Sequence, residues 1–169
     1  MMLIKKGITF IILIVSLIFP GTLYAQNSFR NFGLTAGAST TNSKYISLSF
    51  ETTSTGYNIF GLNLDGIYYS QNHRKRLDFT SDNKILALGL YYKNRLSSTR
   101  NFNVSFFIGG AGGSDNSRII YYPFGGFEEN LFLQEGLQLT INQKVIYLPG
   151  LKHINNGQPC LNIGFKFSL

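Results

Sequence analysis

Tryptophan is absent from this chain, cysteine occurs once and histidine twice. A single cysteine, Cys160, closes no internal bridge, so the chain is not a disulfide scaffold. Cys160, His73 and His153 together fall short of the four ligands of a structural zinc site, and no metal or other cofactor is expected. Charge is scarce as well: Asp, Glu, Lys and Arg make up 14% of 169 residues, against roughly 25% in an average soluble domain. Disordered chains are charge-rich and aromatic-poor, whereas 15% of this chain is aromatic, all of it Phe and Tyr. Glycine is plentiful, at 18 residues. The length suits one domain of ordinary size.

The longest apolar run lies near the N-terminus. Lys5 and Lys6 precede a run over residues 8–19, Pro20 and Gly21 break it, and a small residue follows at Ala25. A basic segment, a short apolar stretch and a small-residue end are the marks of a secretory leader. A membrane-spanning helix needs about 20 apolar residues, more than this run offers. Cleavage after Ala25 is expected, leaving a domain over residues 26–169. No cysteine follows the run, so no lipid anchor is expected there.

Beyond the leader there is no helical periodicity. Apolar residues recur at every second position, the mark of strands with two unlike faces. Eight such segments can be drawn: 31–39, 45–51, 58–69, 84–95, 101–110, 130–141, 144–152 and 160–169. In the third, Phe60, Leu62, Leu64 and Tyr68 oppose Asn63 and Asp65. In the last, Leu161, Ile163, Phe165, Phe167 and Leu169 oppose Asn162, Gly164, Lys166 and Ser168. Glu135 falls on the apolar side of the sixth segment, and Pro149 interrupts the seventh.

Eight segments of about ten residues have the length of tilted strands that cross a bilayer. The expected connections at 52–57, 96–100 and 142–143 are short, and those at 70–83 and 111–129 are long. Short turns at one end and longer loops at the other are the pattern of outer-membrane barrels. The polar faces consist of Gly, Ser, Thr, Asn and Gln with a few charges, which suits a crowded barrel interior. Tyr45, Tyr57, Tyr68, Tyr69, Tyr91 and Tyr92 stand near segment ends, where amphipathic rings form interfacial girdles. The expected fold is therefore all-β, an eight-stranded antiparallel up-and-down transmembrane β-barrel. A soluble periplasmic β-sandwich is the alternative fold, since it also has one apolar face per strand. Residues 161–169 resemble the C-terminal targeting strand of bacterial outer-membrane proteins, with Leu169 at the place of the usual Phe.

An eight-stranded barrel has room inside only for side chains. Glu51, Asp65, Lys93, Arg95 and Lys166 fall on the expected inner face, and charges in a low-dielectric lumen must pair. An interior ion-pair network is expected, one that plugs the barrel; a small channel is the alternative. Two outer-loop features are candidate contacts. Arg74, Lys75 and Arg76 form a basic cluster able to meet lipopolysaccharide phosphates. Tyr121, Tyr122, Phe124 and Phe127 lie between glycines in the expected loop 111–129 and form a candidate binding surface. The remaining chain is not basic enough for a nucleic-acid track.

No catalytic constellation stands out. Residues 153–157 resemble the His-x-Ser-Asn stretch of outer-membrane lipid A deacylases, which are eight-stranded barrels. Asn155 stands where that family has its nucleophilic Ser, and without a nucleophile the acyl-enzyme step cannot begin. A lipid A-modifying enzyme with a degenerate site is the alternative function. Over most of the domain the chain resembles the TraO family of conjugative-transposon proteins of Bacteroides-type bacteria. The stretches that carry this are 58–69 (NIFGLNLDGIYY), 88–92 (LGLYY), 106–112 (FFIGGAG) and 156–167 (NGQPCLNIGFKF). The family's Trp-containing stretch before the last strand is replaced by Lys152 and His153. The resemblance implies a non-enzymatic outer-membrane component of the cell envelope, an accessory part of a conjugative DNA-transfer apparatus with protein partners in that complex.

Overall fold

The computed structural model describes residues 30–40, 43–53, 58–69, 84–115, 118–149 and 157–168. Within them every regular element is a strand: β1 Arg30–Ser39, β2 Ser43–Thr53, β3 Asn58–Tyr69, β4 Lys84–Ser98, β5 Phe102–Ser114, β6 Ile119–Gln134, β7 Leu137–Tyr147 and β8 Gly157–Ser168. Each strand pairs antiparallel with the next, and β8 returns to pair with β1, so the sheet closes into an eight-stranded up-and-down barrel.

Closure is staggered. Lateral partners followed from Arg30 run through Thr52, Phe60, Tyr92, Ile108, Gly125 and Val145 to Pro159. The Pro159 carbonyl accepts from Thr40 N at 3.3 Å, ten residues along β1 from the start. With a rise of about 3.3 Å per residue and strands about 4.8 Å apart, that stagger tilts the strands about 40° from the axis.

The two faces are sorted by parity. Large exposed apolar side chains fall on even numbers through β5, including Leu34, Ile46, Phe60, Leu90 and Ile108. From β6 onward they fall on odd numbers, including Tyr121, Phe127, Val145, Ile163 and Phe165. The buried polar and charged residues take the opposite parity on every strand, from Thr35 to Lys166. Period-two alternation has thus put Leu, Ile and Phe outside and polar groups inside. Aromatic pairs lie across neighbouring strands on the outer surface: Phe32 with Phe50, Phe60 with Tyr92, and Phe106 with Phe127, at ring separations of 5.1, 5.5 and 5.6 Å. Such cross-strand pairs pin the register.

The barrel interior is tight enough to require glycine. A side-chain carbon at Gly109 would stand 2.7 Å from Phe124 Cζ, and one at Gly61 would stand 2.6 Å from Tyr91 Cε2. The aromatic rings occupy the space that those glycines leave.

Four sequence expectations need correction. The segment 130–141 is not one strand. Glu135 and Gly136 form a turn that ends β6 and begins β7, with Gly136 at φ 79°, a backbone region glycine enters without steric cost. The two-residue reversal leaves odd positions outward on both strands, so the alternation runs straight through the hairpin and hides it. The expected strand 144–152 and the two-residue connection 142–143 dissolve into β7 accordingly.

The long loop 111–129 is also absent. β5 continues to Ser114 and β6 starts at Ile119, and between these strands Arg118 N donates to Asp115 Oδ1 at 3.0 Å. Tyr121, Tyr122, Phe124 and Phe127 are strand residues. Tyr122 and Phe124 point inward and are buried, whereas Tyr121 and Phe127 point outward. The expected tyrosine girdle is reduced in the same way. Tyr45, Tyr69 and Tyr91 belong to the inner face, and Tyr68 and Tyr92 to the outer. Tyr57 lies outside the described residues.

The strand ends at Thr53, Asn58, Ser98, Phe102, Gln134 and Leu137 lie at one end of the barrel, together with Arg30 and Ser168. The strand ends at Ser39, Ser43, Tyr69, Lys84, Ser114, Ile119, Tyr147 and Gly157 lie at the other, the loop end.

Candidate functional site

The chemically distinctive part of the molecule is its lumen. β2, β4, β6 and β8 each send one charged side chain to the axis: Glu51, Lys93, Glu128 and Lys166. At any height only alternate strands point inward, so one layer draws on every second strand. Lys93 Nζ donates to Glu51 Oε1 and, at 2.7 Å, to Glu128 Oε1. Lys166 Nζ donates to the same two oxygens, at 2.9 Å to Glu51. The four groups form a closed square of alternating sign, each at most 5% exposed. Tyr91 OH donates to Glu51 at 2.8 Å, and Asn130 Nδ2 donates to Glu128 at 2.8 Å. This supplies the additional hydrogen bonds without which a buried ion pair does not repay its desolvation.

A second cluster lies nearer the loop end. Lys144 Nζ on β7 donates to Asp65 Oδ2 on β3 at 2.8 Å, across the barrel. Ser47 and Tyr122 hydroxyls donate to the same carboxylate at 2.6 and 3.1 Å. Lys144 also stands 4.6 Å from the Phe124 ring centroid, a cation–π distance. Between the clusters is a cavity of about 30 Å³, lined among others by Asn63, Lys93, Lys144, Asn142 and Lys166. That volume is on the scale of one or two water molecules.

Both ends of this polar interior are covered. At the loop end Ile67, Ile85, Ile146 and Leu148 fill the lumen and are 0–1% exposed. Toward the turn end Asn130 Nδ2 donates to Asn103 Oδ1 at 2.9 Å, and Thr140 Oγ1 donates to Asn130 Oδ1 at 2.6 Å. Among the described residues no cluster of His, Cys, Asp and Glu has metal-binding geometry. The six charges of the two clusters cancel. Their chemistry is cross-linking: each ammonium or carboxylate ties strands distant in sequence through the barrel axis.

Glu51, Lys93 and Lys166, expected inside, meet in the square, and Asp65 lies in the second cluster. Arg95 joins none of these ion pairs, and its Nε has no hydrogen-bond partner. Its inner-face position near the turn end of β4 places it beyond the square. Two partners were missed by sequence reading. Glu128 lay in the supposed loop, and Lys144 began a segment apolar on both faces. A charge count carries the missing signal: the five expected residues sum to +1, so a lumen that pairs its charges needs another acid. Arg74, Lys75, Arg76, His153 and Asn155 lie outside the described residues.

No protein-family model matches the chain, and no curated protein does. A solved structure does resemble it: a de novo designed transmembrane β-barrel superposes with a TM-score of 0.60, covering 83% of this chain and 95% of that one at 11% identity. At that identity the likeness shows the fold: a small, closed, antiparallel β-barrel of the architecture used in that design.

Proposed function

We propose that this protein is a membrane-embedded barrel of the bacterial outer membrane, a non-enzymatic structural or interaction component of the cell envelope delivered by a cleaved leader over residues 1–25. One observation carries the reading: the radial sorting of side chains is inverted relative to a soluble protein. Exposed Leu, Ile and Phe encircle the molecule while six paired charges lie on its axis. In water such an outside would be a large aggregation-prone patch. In hydrocarbon it is the required surface, and closure leaves no backbone edge unpaired. The layered interior, apolar at the loop end and hydrogen-bonded below, supports a plug in preference to a channel. The partners of this reading are outer-membrane lipid and lipopolysaccharide.

The resemblance to TraO proteins supports a narrower role, as an accessory part of a conjugative DNA-transfer apparatus contacting other proteins of that complex. Fractionating host cells tests the first part. The protein should be extracted with the outer membrane and migrate faster on gels before heating than after. Recovery as a freely soluble periplasmic protein would overturn the reading. Deleting the gene in a donor strain tests the narrower role in the same cells. Transfer frequency should fall, and unchanged transfer would remove the conjugative role.

A further inference from the structure

A polar side chain interrupts the middle of the outer belt on β7. Gln143 is the seventh of the eleven residues of that strand and faces outward, exposed. Exposed side chains in the middle of other strands are apolar, among them Leu64, Leu90, Ile108 and Ile163. A glutamine amide has two N–H donors and a carbonyl acceptor. Within the chain Gln143 Nε2 reaches Glu129 Oε1 at 3.5 Å, and that contact uses one N–H. In hydrocarbon no water takes up the second N–H and the carbonyl.

The strands on either side of Gln143 are unlike. Its lateral partners are Phe127 on β6 and Leu161 on β8. Leu161 and Ile163 form a ridge on β8, each 52% exposed. On β6 the outward positions from Phe127 toward the loop end are Gly125 and Pro123, so the surface there is low. Ridge and hollow lie at one depth. Lateral steps climb toward the loop end by ten residues over the eight strands, which is about 2.5 residues from β6 to β8. On β6 the level of Leu161 is therefore that of Gly125.

We propose that a second copy of this chain docks on this face, with Gln143 on the two-fold axis. Copies inserted in the same sense are related by an axis along the membrane normal, so Gln143 meets its own counterpart. A primary amide is its own complement. Each Nε2 donates one N–H to the other carbonyl, making two reciprocal hydrogen bonds, and its second N–H keeps the contact with Glu129. The same axis sets β8 of each copy against β6 of the other. The Leu161 ridge then lies over the Gly125 hollow twice, and a small residue there lets the two backbones approach. A second copy fits better than a different membrane protein, because one amide and one ridge-and-hollow pair complete the contact in both directions. A lipid chain offers the amide neither donor nor acceptor. The proposal rests on the membrane reading above.

The test begins with cross-linking in intact outer membranes of host cells making Gln143→Cys. Wild type is the background, since its one cysteine, Cys160, is buried in the lumen. A short bismaleimide should yield a product of twice the monomer mass from Gln143→Cys and none from Leu64→Cys on β3, across the barrel. The absence of a product from Gln143→Cys, or equal cross-linking at both positions, overturns the proposal. A product of any other mass places a different protein on this face and also overturns it. Sedimentation equilibrium of the full-length protein in detergent micelles then measures the association. Gln143→Leu, which suits a lipid-facing position, should weaken it about tenfold through the loss of two hydrogen bonds. Gly125→Leu fills the hollow and should weaken it by about the same factor. A monomeric wild type, or unchanged association of Gln143→Leu, overturns the dimer. Heat-modifiable mobility, recorded on every sample, separates the two failures. Its absence in wild type sinks the membrane reading, and its presence in a monomeric wild type sinks only the dimer.

Discussion

Lys93 and Lys166 each bridge the same two carboxylate oxygens, so neither Glu51 nor Glu128 depends on one partner. Removing one lysine nevertheless leaves two buried carboxylates sharing a single positive charge. Breaking a buried pair by removing one partner costs about 3–5 kcal/mol, because a desolvated charge is left uncompensated. Lys93→Met should cost about that much in urea unfolding of the protein in lipid vesicles. Adding Glu51→Gln should return part of the loss, since three charges then become two of opposite sign. A loss below about 1 kcal/mol for Lys93→Met would mean that water reaches the square. Among the described residues six buried inner-face side-chain atoms lack a hydrogen-bond partner, those of Arg95 and Asn63 among them. Arg95 Nε and Asn63 Oδ1 have no hydrogen-bond partner, so the polar interior is satisfied most fully where charges of opposite sign meet.

Among elements, the β6–β7 hairpin shows how a local turn governs a long register. β6 is 16 residues and β7 is 11, joined by Glu135 and Gly136 alone. The β6–β7 ladder slips between Phe132 and Gln134 as it enters the turn, and Ser168 N donates to the Gly136 carbonyl at 2.8 Å, tying the turn to the last strand. Any side chain at φ 79° pays the left-handed penalty of about 1–2 kcal/mol. Gly136→Val should lower unfolding stability by about that amount and slow formation of the heat-modifiable species during refolding. Gly110 is a fair control: it is exposed on β5, and a side-chain carbon there meets nothing nearer than 3.9 Å. Equal effects of Val at both positions would show that the turn conformation is not limiting. β3 was legible in the sequence to the residue, because Asn63 and Asp65 interrupt an otherwise apolar run at strict alternation. β6 was not, because Tyr122 and Phe124 make its inner face as aromatic as its outer one, and alternation carries no signal when both faces are apolar.

For the molecule as a whole, the decisive quantity is what surrounds the belt. Ile108 is 56% exposed in the middle of β5, facing outward. A cationic side chain at mid-depth on the lipid face of a barrel costs about 2–4 kcal/mol, whereas the same change on a soluble surface falls within about 0.5 kcal/mol. Ile108→Arg should therefore destabilise the barrel in vesicles by about 2–4 kcal/mol, measured by denaturant unfolding. A change within about 0.5 kcal/mol would place that surface in water.

Scarce charge, abundant Phe, Tyr and Gly, and a period of two led by themselves to the expectation of an eight-stranded barrel with its polar faces inward, although β6 and β7 were drawn in the wrong places. Those features are local: each strand's inner and outer faces are set by its own pleat, whatever its neighbours do. Which acid meets which lysine was decided only by tertiary structure. Glu51 and Lys166 are joined across 115 residues of sequence, and their meeting depends on a stagger that accumulates over every strand pair until β8 closes on β1. The same closure placed Glu128 and Lys144 inside, turned a supposed loop into strand, and left Arg95 outside the ion pairs. Pairing in the lumen is a property of the whole ring, and no stretch of chain shorter than the ring encodes it.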